Sequence, residues 1–471
     1  MSNTTSYYSL TDALIGLELL SEVGEVVSED DLCSLVLHNH ARVKGADETD
    51  LPSNHRLPGL RAALQCLRNK HGIHNPIQGL LPCILQQAQE LNRLFPEGHI
   101  PTLPRGRAKS ISLSAAQVLC LLANAALCNL GRIPLPELTS EQKQSLRETM
   151  PHYGSLSPYL WYQSETRVAC ERTSALWLYL HAATDRTRGV DVDRIITFQR
   201  ATKLPPLPKT NESTRPKIYV DFVHQQGIEA VKMSPTKHDF HARMDFANAT
   251  LHVGALWPTA TQEEILFSAY PECLVGVLFC ETMASTDAII ISNVKRYIVS
   301  TGFAERYRVE GLVPQDSSSP RDEKACIVAV DASIAETLAE QLQPSLINRD
   351  VSKAATAWTA SAKDTIVTGN WGSGAFGGNI YAKFLHQYLA ACRCSIHQRG
   401  TLQLIYCLVG TNNAIEEQNM RHLEEWVSVV YAQGGEAAVV SKLEALTRDG
   451  NEQDDWSLQE RLLQLPAKFT H

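Results

Sequence analysis

The chain has 471 residues, of which 44% are hydrophobic, 20% charged and 7% aromatic. That is enough apolar mass for two ordinary cores, and it excludes wholesale disorder or a fibrous design. A formal net charge of -8 with an isoelectric point near 6.1 excludes a general polycation that coats nucleic acid, and no sequence-specific nucleic-acid partner is expected.

The opening "MSNTTSYYSLTDALIGLELL" has no basic residue ahead of its apolar run, so no secretory signal is expected. Up to about residue 165 the apolar steps are helical, as in "LPGLRAALQCLRNKHG", "PIQGLLPCILQQAQELNRLF" and "SLSAAQVLCLLANAALCNLG". The last is the most apolar window, but Gln117, Asn124 and Asn129 interrupt it. It predicts a buried core helix, and no membrane partner. "SEQKQSLRETM" predicts a further helix with Ser140 as its N-cap. The pattern makes this first part all-helical.

After another helix, "RTSALWLYLHAAT", come the strands "IITFQR" and "KIYVDFV", separated by the Pro-rich surface loop "ATKLPPLPKTNESTRP". "HDFHARMDFAN", "DAIIISN", "ACIVAVDA", "DTIVTGNW" and "LQLIYCLVG" predict five more strands. Helices are expected over 263–283, 333–342, 380–394 and 414–431. Strands alternating with helices argue for a parallel or mixed sheet covered on both faces. "VPQDSSSPRDEK" and "RDGNEQDDW" read as solvated loops. Twelve cysteines are scattered without a CxxC pair, so free thiols in a reducing compartment are expected, and no metal site.

Two stretches carry chemistry. "TGNWGSGAFGGN", Thr368 to Asn379, lies between a strand and a helix, and Gly372, Gly374 and Gly377 satisfy GxGxxG. Glycines admit backbone amides close to a diphosphate, and a helix N-terminus favours anions. A dinucleotide fold would also want an acidic residue roughly twenty positions on, and none occurs between Asn379 and Ala414. Phosphate binding without hydride chemistry is the favoured reading; a ligand-free tight turn is the other. Ser373 is no hydrolase elbow, because GxSxG needs glycine where Trp371 stands.

The second stretch is "MDFANATLHVGALWPTATQEEI". Glu263 and Glu264 open a helix, where the dipole alone stabilises an acidic residue by roughly 0.3–1 kcal/mol. That gives them a place without giving them a task. Asp245 and Asn248, however, end a strand, and open α/β sheets bind ligands at such carboxyl ends.

These residues resemble the signature of the poly(ADP-ribose) glycohydrolase family. Asp245, Phe246, Ala247 and Asn248 match its D-F-A-N strand end, and Gln262, Glu263 and Glu264 match its Q-E-E without a gap. "TGNWGSGAFGG" is similar to the family's diphosphate loop, with Ser373 in place of Cys, and "LSAAQVLCLLANAALC" and "STGFAERYR" resemble its accessory helix and its substrate-clasping segment. The resemblance implies a macrodomain-like α/β fold, a three-layer mixed sheet flanked by helices over 171–471, preceded by an all-helical accessory domain over 1–170. It implies cleavage of ribose–ribose bonds of poly(ADP-ribose), no cofactor, no metal, a monomer, and a nuclear or cytoplasmic setting. Glu264 would be the catalytic acid/base and Glu263 a ribose ligand. Asp245, Asn248 and Gln262 would shape the substrate site with His252, Gly254 and Phe303. Gly372, Ser373, Gly374 and Ala375 would cradle the diphosphate, buttressed by Phe376.

The cradle departs from the family. His252, Val253 and Gly254 replace a glycine triplet, and Val253 resists the torsions that glycine allows. Phe303 stands where the resemblance implies Tyr, and Val409 where it implies an adenine-stacking aromatic. An altered but active glycohydrolase, a different ADP-ribosyl or nucleoside-like substrate, and an ADP-ribose-binding module without turnover are the three readings these departures allow. The pairs His238/His241 and His71/His74 are read as non-metal, the first because alternate strand residues face opposite ways and the second as solvated.

Overall fold

A computed structural model describes residues 7–22, 26–44, 57–130, 156–185, 191–204, 215–232, 241–251, 257–314, 324–410, 412–448 and 455–465. The helix expected at 140–150, the cores of the three surface loops, His238, and the substrate-site residues His252 and Gly254 with Val253 lie outside these residues.

Twelve strands lie among the described residues: β1 (Tyr7–Ser9), β2 (His99–Pro101), β3 (Lys109–Ser114), β4 (Ile195–Thr202), β5 (Lys217–His224), β6 (His241–Asp245), β7 (Asp287–Lys295), β8 (Ile298–Thr301), β9 (Arg308–Leu312), β10 (Lys324–Ala329), β11 (Thr365–Gly369) and β12 (Thr401–Leu408). Eight form one sheet in the order β3-β4-β7-β10-β6-β11-β12-β5. From β10 to β5 the strands run parallel; β7, β4 and β3 add antiparallel pairings on one side. The central strands "HARMD" and "TIVTG" are buried at every residue, as parallel strands covered on both faces must be.

Strand periodicity sorts the side chains into two cores. Along β7, Ile289 and Ile291 enter one apolar cluster while Ala288 and Ile290 enter the other. The first cluster also takes in the Ala115–Ala126 and Arg167–Thr184 helices and the 3-10 turn Pro271–Leu278. The second is closed by the helices Pro344–Ser361, Ile380–Gln398 and Asn413–Arg448. The result is a three-layer mixed sheet flanked by helices.

The first part is mainly helical, as expected, but it is not free of strands. β3, "KSISLS", buries Ile111 and Leu113 while Ser110 and Ser112 face solvent, and it forms the sheet's edge. It then runs straight into a capped helix. Ser114 Oγ accepts from Gln117 N at 3.2 Å, and Gln117 Oε1 accepts from Ser114 N at 2.9 Å. The Arg167–Thr184 helix continues unbroken through position 170.

Other boundaries move for local reasons. The helix expected over 263–283 stops at Ala269 and passes into the 3-10 turn Pro271–Leu278, since Pro271 has no amide to donate. The one expected over 333–342 shrinks to Leu338–Gln341, and the long Pro344–Ser361 helix was not anticipated. Asn413–Arg448 outruns its expected end at 431, with a break at Gly434 and Gly435, where φ at Gly435 is 67°. His74 is exposed, as read, while His71 is half-buried: its ring lies 3.9 Å from where a Cβ on Gly311 would stand, and its Nε2 is covered.

The antiparallel side of the sheet is pinned by a fully buried ion pair. Arg200 on β4 donates to Asp287 Oδ2 at 2.8 Å and to the Leu103 carbonyl at 3.0 Å. The same Asp287 oxygen accepts the amides of Gly106 and Ala284, at 2.8 and 3.0 Å. Removing one partner of such a pair strands the other charge, so Asp287→Ala is expected to cost roughly 3–5 kcal/mol in urea unfolding. A loss below about 1 kcal/mol, the range of an exposed pair, would show that Arg200 is solvated.

Candidate active site

The parallel strands bring their carboxyl ends to one edge of the sheet. Ala329 at the end of β10 pairs with Asp245 at the end of β6. On the other side β11 pairs with β6 through Val367 and Arg243, and continuing that register brings Gly369 level with Asp245. The glycine-rich loop, the D-F-A-N turn and the residues after β10 therefore meet in one place.

The Gln262–Ala269 helix is fastened to this edge by its first side chain. Gln262 Oε1 accepts from Phe246 N at 2.7 Å and its Nε2 donates to the Met244 carbonyl at 3.1 Å. Gln262, expected at the substrate, engages backbone through both its amide oxygen and its amide nitrogen. Its effect on the site is to hold strand end to helix start.

That join buries three carboxylates together. Asp245, Glu263 and Glu264 are all buried. Neither Asp245 oxygen has a hydrogen-bond partner among the described residues. Burial, reinforced by the charge of Glu264, holds the Asp245 carboxyl well above its ordinary range. Glu264 is treated differently: its Oε2 accepts from Thr261 N at 2.6 Å and from the Thr261 hydroxyl.

A buried cation faces the acidic pair from the Arg167–Thr184 helix, and no motif announces it. Arg172, on the Arg167–Thr184 helix, is buried with its guanidinium 4.3 Å over the Trp161 ring. It donates to the carbonyls of Trp257 and Thr259, at 2.9 and 3.0 Å, while Trp161 Nε1 donates to the Trp257 carbonyl at 3.0 Å. Burial lowers the guanidinium to about 10, with Glu264, Tyr307 and Glu263 pulling the other way. Glu171, the preceding residue, accepts Val309 N on β9 at 2.8 Å. Consecutive side chains thus reach from the helical part to both the acidic helix and the β8–β9 hairpin.

The hairpin carries Phe303, 51% exposed at the tip between β8 and β9, where Ala304 N donates to the Ala260 carbonyl at 2.8 Å. Asn248 closes a local turn, its Oδ1 accepting Thr250 N at 3.2 Å. Val409 is 56% exposed just past β12, at the same sheet edge.

The glycine-rich loop is rigid on one side and open on the other. Gly372 has φ of 76°, and a Cβ there would stand 2.6 Å from the Ala332 Cβ, so no other residue fits without movement. Gly378 N closes the loop onto the Gly372 carbonyl at 2.9 Å, and Trp371 Nε1 anchors it to the Val330 carbonyl at 2.8 Å. Gly374 and Ala375 are exposed and Phe376 is half-buried against the second core; their amides meet no acceptor among the described residues. The Ser373 hydroxyl is buried and likewise has no partner there. Asn379 caps the following helix, accepting from Tyr381 N and Ala382 N at 3.0 and 3.2 Å.

Beneath the loop lies a buried ionic cluster. Lys383 Nζ donates to Asp350 Oδ2 at 2.7 Å and to the Ser333 hydroxyl at 2.9 Å, and its stem lies against Gly372 and Gly378. Arg349 donates to Asp350 at 2.8 Å and also to Asp331, which pairs with Lys353. Burial alone would raise the Asp350 carboxyl; His386, Lys383 and Arg349 outweigh it and hold the group well below its usual range.

The fold is a three-layer α/β domain that carries a glycine-rich loop and a buried glutamate pair at one edge of its sheet. The models of the poly(ADP-ribose) glycohydrolase family match most of the chain. Its helical-domain model covers residues 74–200 and its macro-domain-fold model residues 208–415. The chain belongs to this family.

Relatives include poly(ADP-ribose) glycohydrolase 2 of Caenorhabditis elegans, 33% identical over 196 residues, or 38% of this chain and 39% of that protein. Poly(ADP-ribose) glycohydrolase 1 of the same organism is 33% identical over 166 residues, 32% of this chain and 21% of the relative. The matched segments thus span well under half of these relatives' lengths. The solved poly(ADP-ribose) glycohydrolase of Thermomonospora curvata aligns at 15% identity over 45% of this chain and 79% of its own, with a TM-score of 0.30, a likeness too loose to bear on the architecture.

The state of Asp245 is directly testable. A carboxyl whose folded-state pKa is raised contributes stability that is present at low pH and lost as pH climbs through that raised value. Asp245→Asn is therefore expected to gain stability relative to wild type between pH 4 and pH 8 in denaturant titrations. A gap that closes or reverses over that range would mean an ionised, paired Asp245.

Proposed function

We propose that this chain is a poly(ADP-ribose) glycohydrolase that cleaves ribose–ribose O-glycosidic bonds and releases ADP-ribose, with Glu264 as the acid/base. The observation that carries the reading is the buried Glu263–Glu264 pair, fixed by Gln262 to the end of β6 beside a glycine-rich loop with unengaged amides. Membership of the family supplies the substrate class.

The chemistry follows from these placements. Leaving of the ribose oxygen builds positive charge on the anomeric carbon, so an acid must protonate that oxygen and afterwards activate water. Glu264 fills that role. Glu263 holds a ribose hydroxyl, and Asp245, its carboxyl held well above the ordinary range by burial, lines the same strand end. The amides of Gly374, Ala375 and Phe376 with the Ser373 hydroxyl receive the diphosphate, and Gly372 supplies the turn that presents them. Asn248, His252 and Gly254 complete the ribose cradle, and Phe303 stacks on the substrate. Neither a cofactor nor a metal takes part.

In this reading residues 1–170 are the accessory domain and 171–471 the catalytic one, bridged by the Arg167–Thr184 helix. The protein acts as a monomer inside the cell, in nucleus or cytoplasm. Its twelve free cysteines suit a reducing setting, and no helix among the described residues is long and apolar enough to cross a membrane.

The test is release of ADP-ribose from poly(ADP-ribose) by wild type and Glu264→Gln. The variant is expected to lose roughly 10²–10⁴-fold in kcat, the usual contribution of a positioned acid/base, while still binding ADP-ribose. Binding without release by the wild type would make the chain a reader of ADP-ribose. Absence of both would remove the pocket from consideration.

A further inference from the structure

We propose that Thr261 is a positioning residue for the acid: it locks one oxygen of Glu264 and thereby selects the other, Oε1, as the oxygen that exchanges the proton. This rests on the assignment of Glu264 as acid/base. A free carboxylate rotates and can present either oxygen. Here both donors of Thr261, its backbone N–H at 2.6 Å and its hydroxyl, fall on the same atom, Oε2. No hydrogen bond from the described residues reaches Oε1. The two oxygens are therefore chemically unequal before any substrate arrives.

Thr261 can impose this only if it is itself held, and it is held from the helical part. The loop that delivers it is gripped two and four residues upstream, where Arg172 takes the Thr259 and Trp257 carbonyls and Trp161 takes the Trp257 carbonyl again. On the other side, Ala260 accepts Ala304 N from the Phe303 loop at 2.8 Å. Immediately downstream, Gln262 is clamped to β6. Every neighbour of Thr261 is thus tied to a different element. Thr261 itself is exposed, while the Glu264 carboxylate it holds is buried.

Neighbouring charged groups do not do this job. Asp245 makes no hydrogen bond to Glu264, and Arg172 donates to the loop carbonyls of Trp257 and Thr259. Glu272, on the adjoining 3-10 turn, is paired with Arg194, and the buried Glu229 looks toward Arg296 and Arg243.

The experiment compares wild type, Thr261→Val and Thr261→Ser for kcat and KM of ADP-ribose release and for ADP-ribose affinity. It adds the carboxyl ¹³C resonance of Glu264 in protein labelled at glutamate Cδ, assigned by its disappearance in Glu264→Gln. Valine keeps the backbone donor and the shape but loses the hydroxyl. The expected result is a roughly ten- to hundredfold fall in kcat, the scale of one hydrogen bond to a charged group, with KM and affinity unchanged. Serine should restore most of it, and the resonance should move in the valine variant alone. Wild-type kcat with an unmoved resonance in Thr261→Val overturns the proposal and leaves the glycohydrolase reading standing. A parallel loss of kcat and affinity, not rescued by serine, also overturns it, since that marks general damage to the loop. If the wild type releases nothing, the glycohydrolase reading fails on its own. The resonance then decides: unmoved by valine, it overturns the Thr261 lock as well; moved by valine and kept by serine, it upholds the lock on Glu264.

Discussion

Three acidic side chains are buried within one helical turn and one strand end, and the rest of the site is organised around making that tolerable. Isolated charges cannot be taken out of water at this density, so each must be neutralised, paired or hydrogen-bonded. The structure divides the three solutions among the three groups. Burial pushes the Asp245 carboxyl toward its neutral form, Glu264 takes two donors from Thr261, and the helix N-terminus with buried Arg172 supplies positive potential for the pair. Arg172 comes from the Arg167–Thr184 helix that bridges the two parts, so this electrostatic balance is not struck by the sheet and its strand-end loops alone.

The same dependence appears beneath the glycine-rich loop. An open run of amides suits a diphosphate only if the loop does not collapse onto its own carbonyls, and collapse is prevented from below. Lys383 lies against Gly372 and Gly378 while its ammonium is consumed by Asp350 and Ser333, so it supports the loop without offering a charge to a ligand. Asp350 and Asp331 in turn use up Arg349 and Lys353. What the loop presents on its upper side is thereby backbone dipoles, which carry no net charge. Buried ion pairs of this kind are weak sources of stability but effective fixers of geometry when every member is satisfied.

What could be read from the sequence divides along physical lines. The strands were legible wherever apolar runs sit between turn residues, and so was the glycine-rich loop, because its torsions need glycine. Glu263, Glu264 and Asp245 were legible as a constellation through the family signature. β3 was not, since four polar or charged residues in "KSISLS" mask an alternation only two apolar residues deep. Pro344–Ser361 was hidden for the opposite reason: Asp350 and Lys353 lie on its buried side, where only tertiary partners make them acceptable. Thr261 carried a readable sign, a Thr three residues before a Glu at a helix start, and Arg172 carried none. A lone basic residue in a helix declares nothing until its partners from distant segments are in place.

These ties also bear on the departures from the family. His252 and Val253 replace residues that would let the backbone yield, and they precede a segment that Arg172 and Trp161 grip at the Trp257 carbonyl. A glycine triplet leaves a cradle free to adapt to its ligand; here the downstream end of that cradle is fixed to the helical part. The β8–β9 tip with exposed Phe303 is joined to the acidic side through the Ala304–Ala260 backbone hydrogen bond. Gln262 and Thr261 in turn hold the start of the acidic helix.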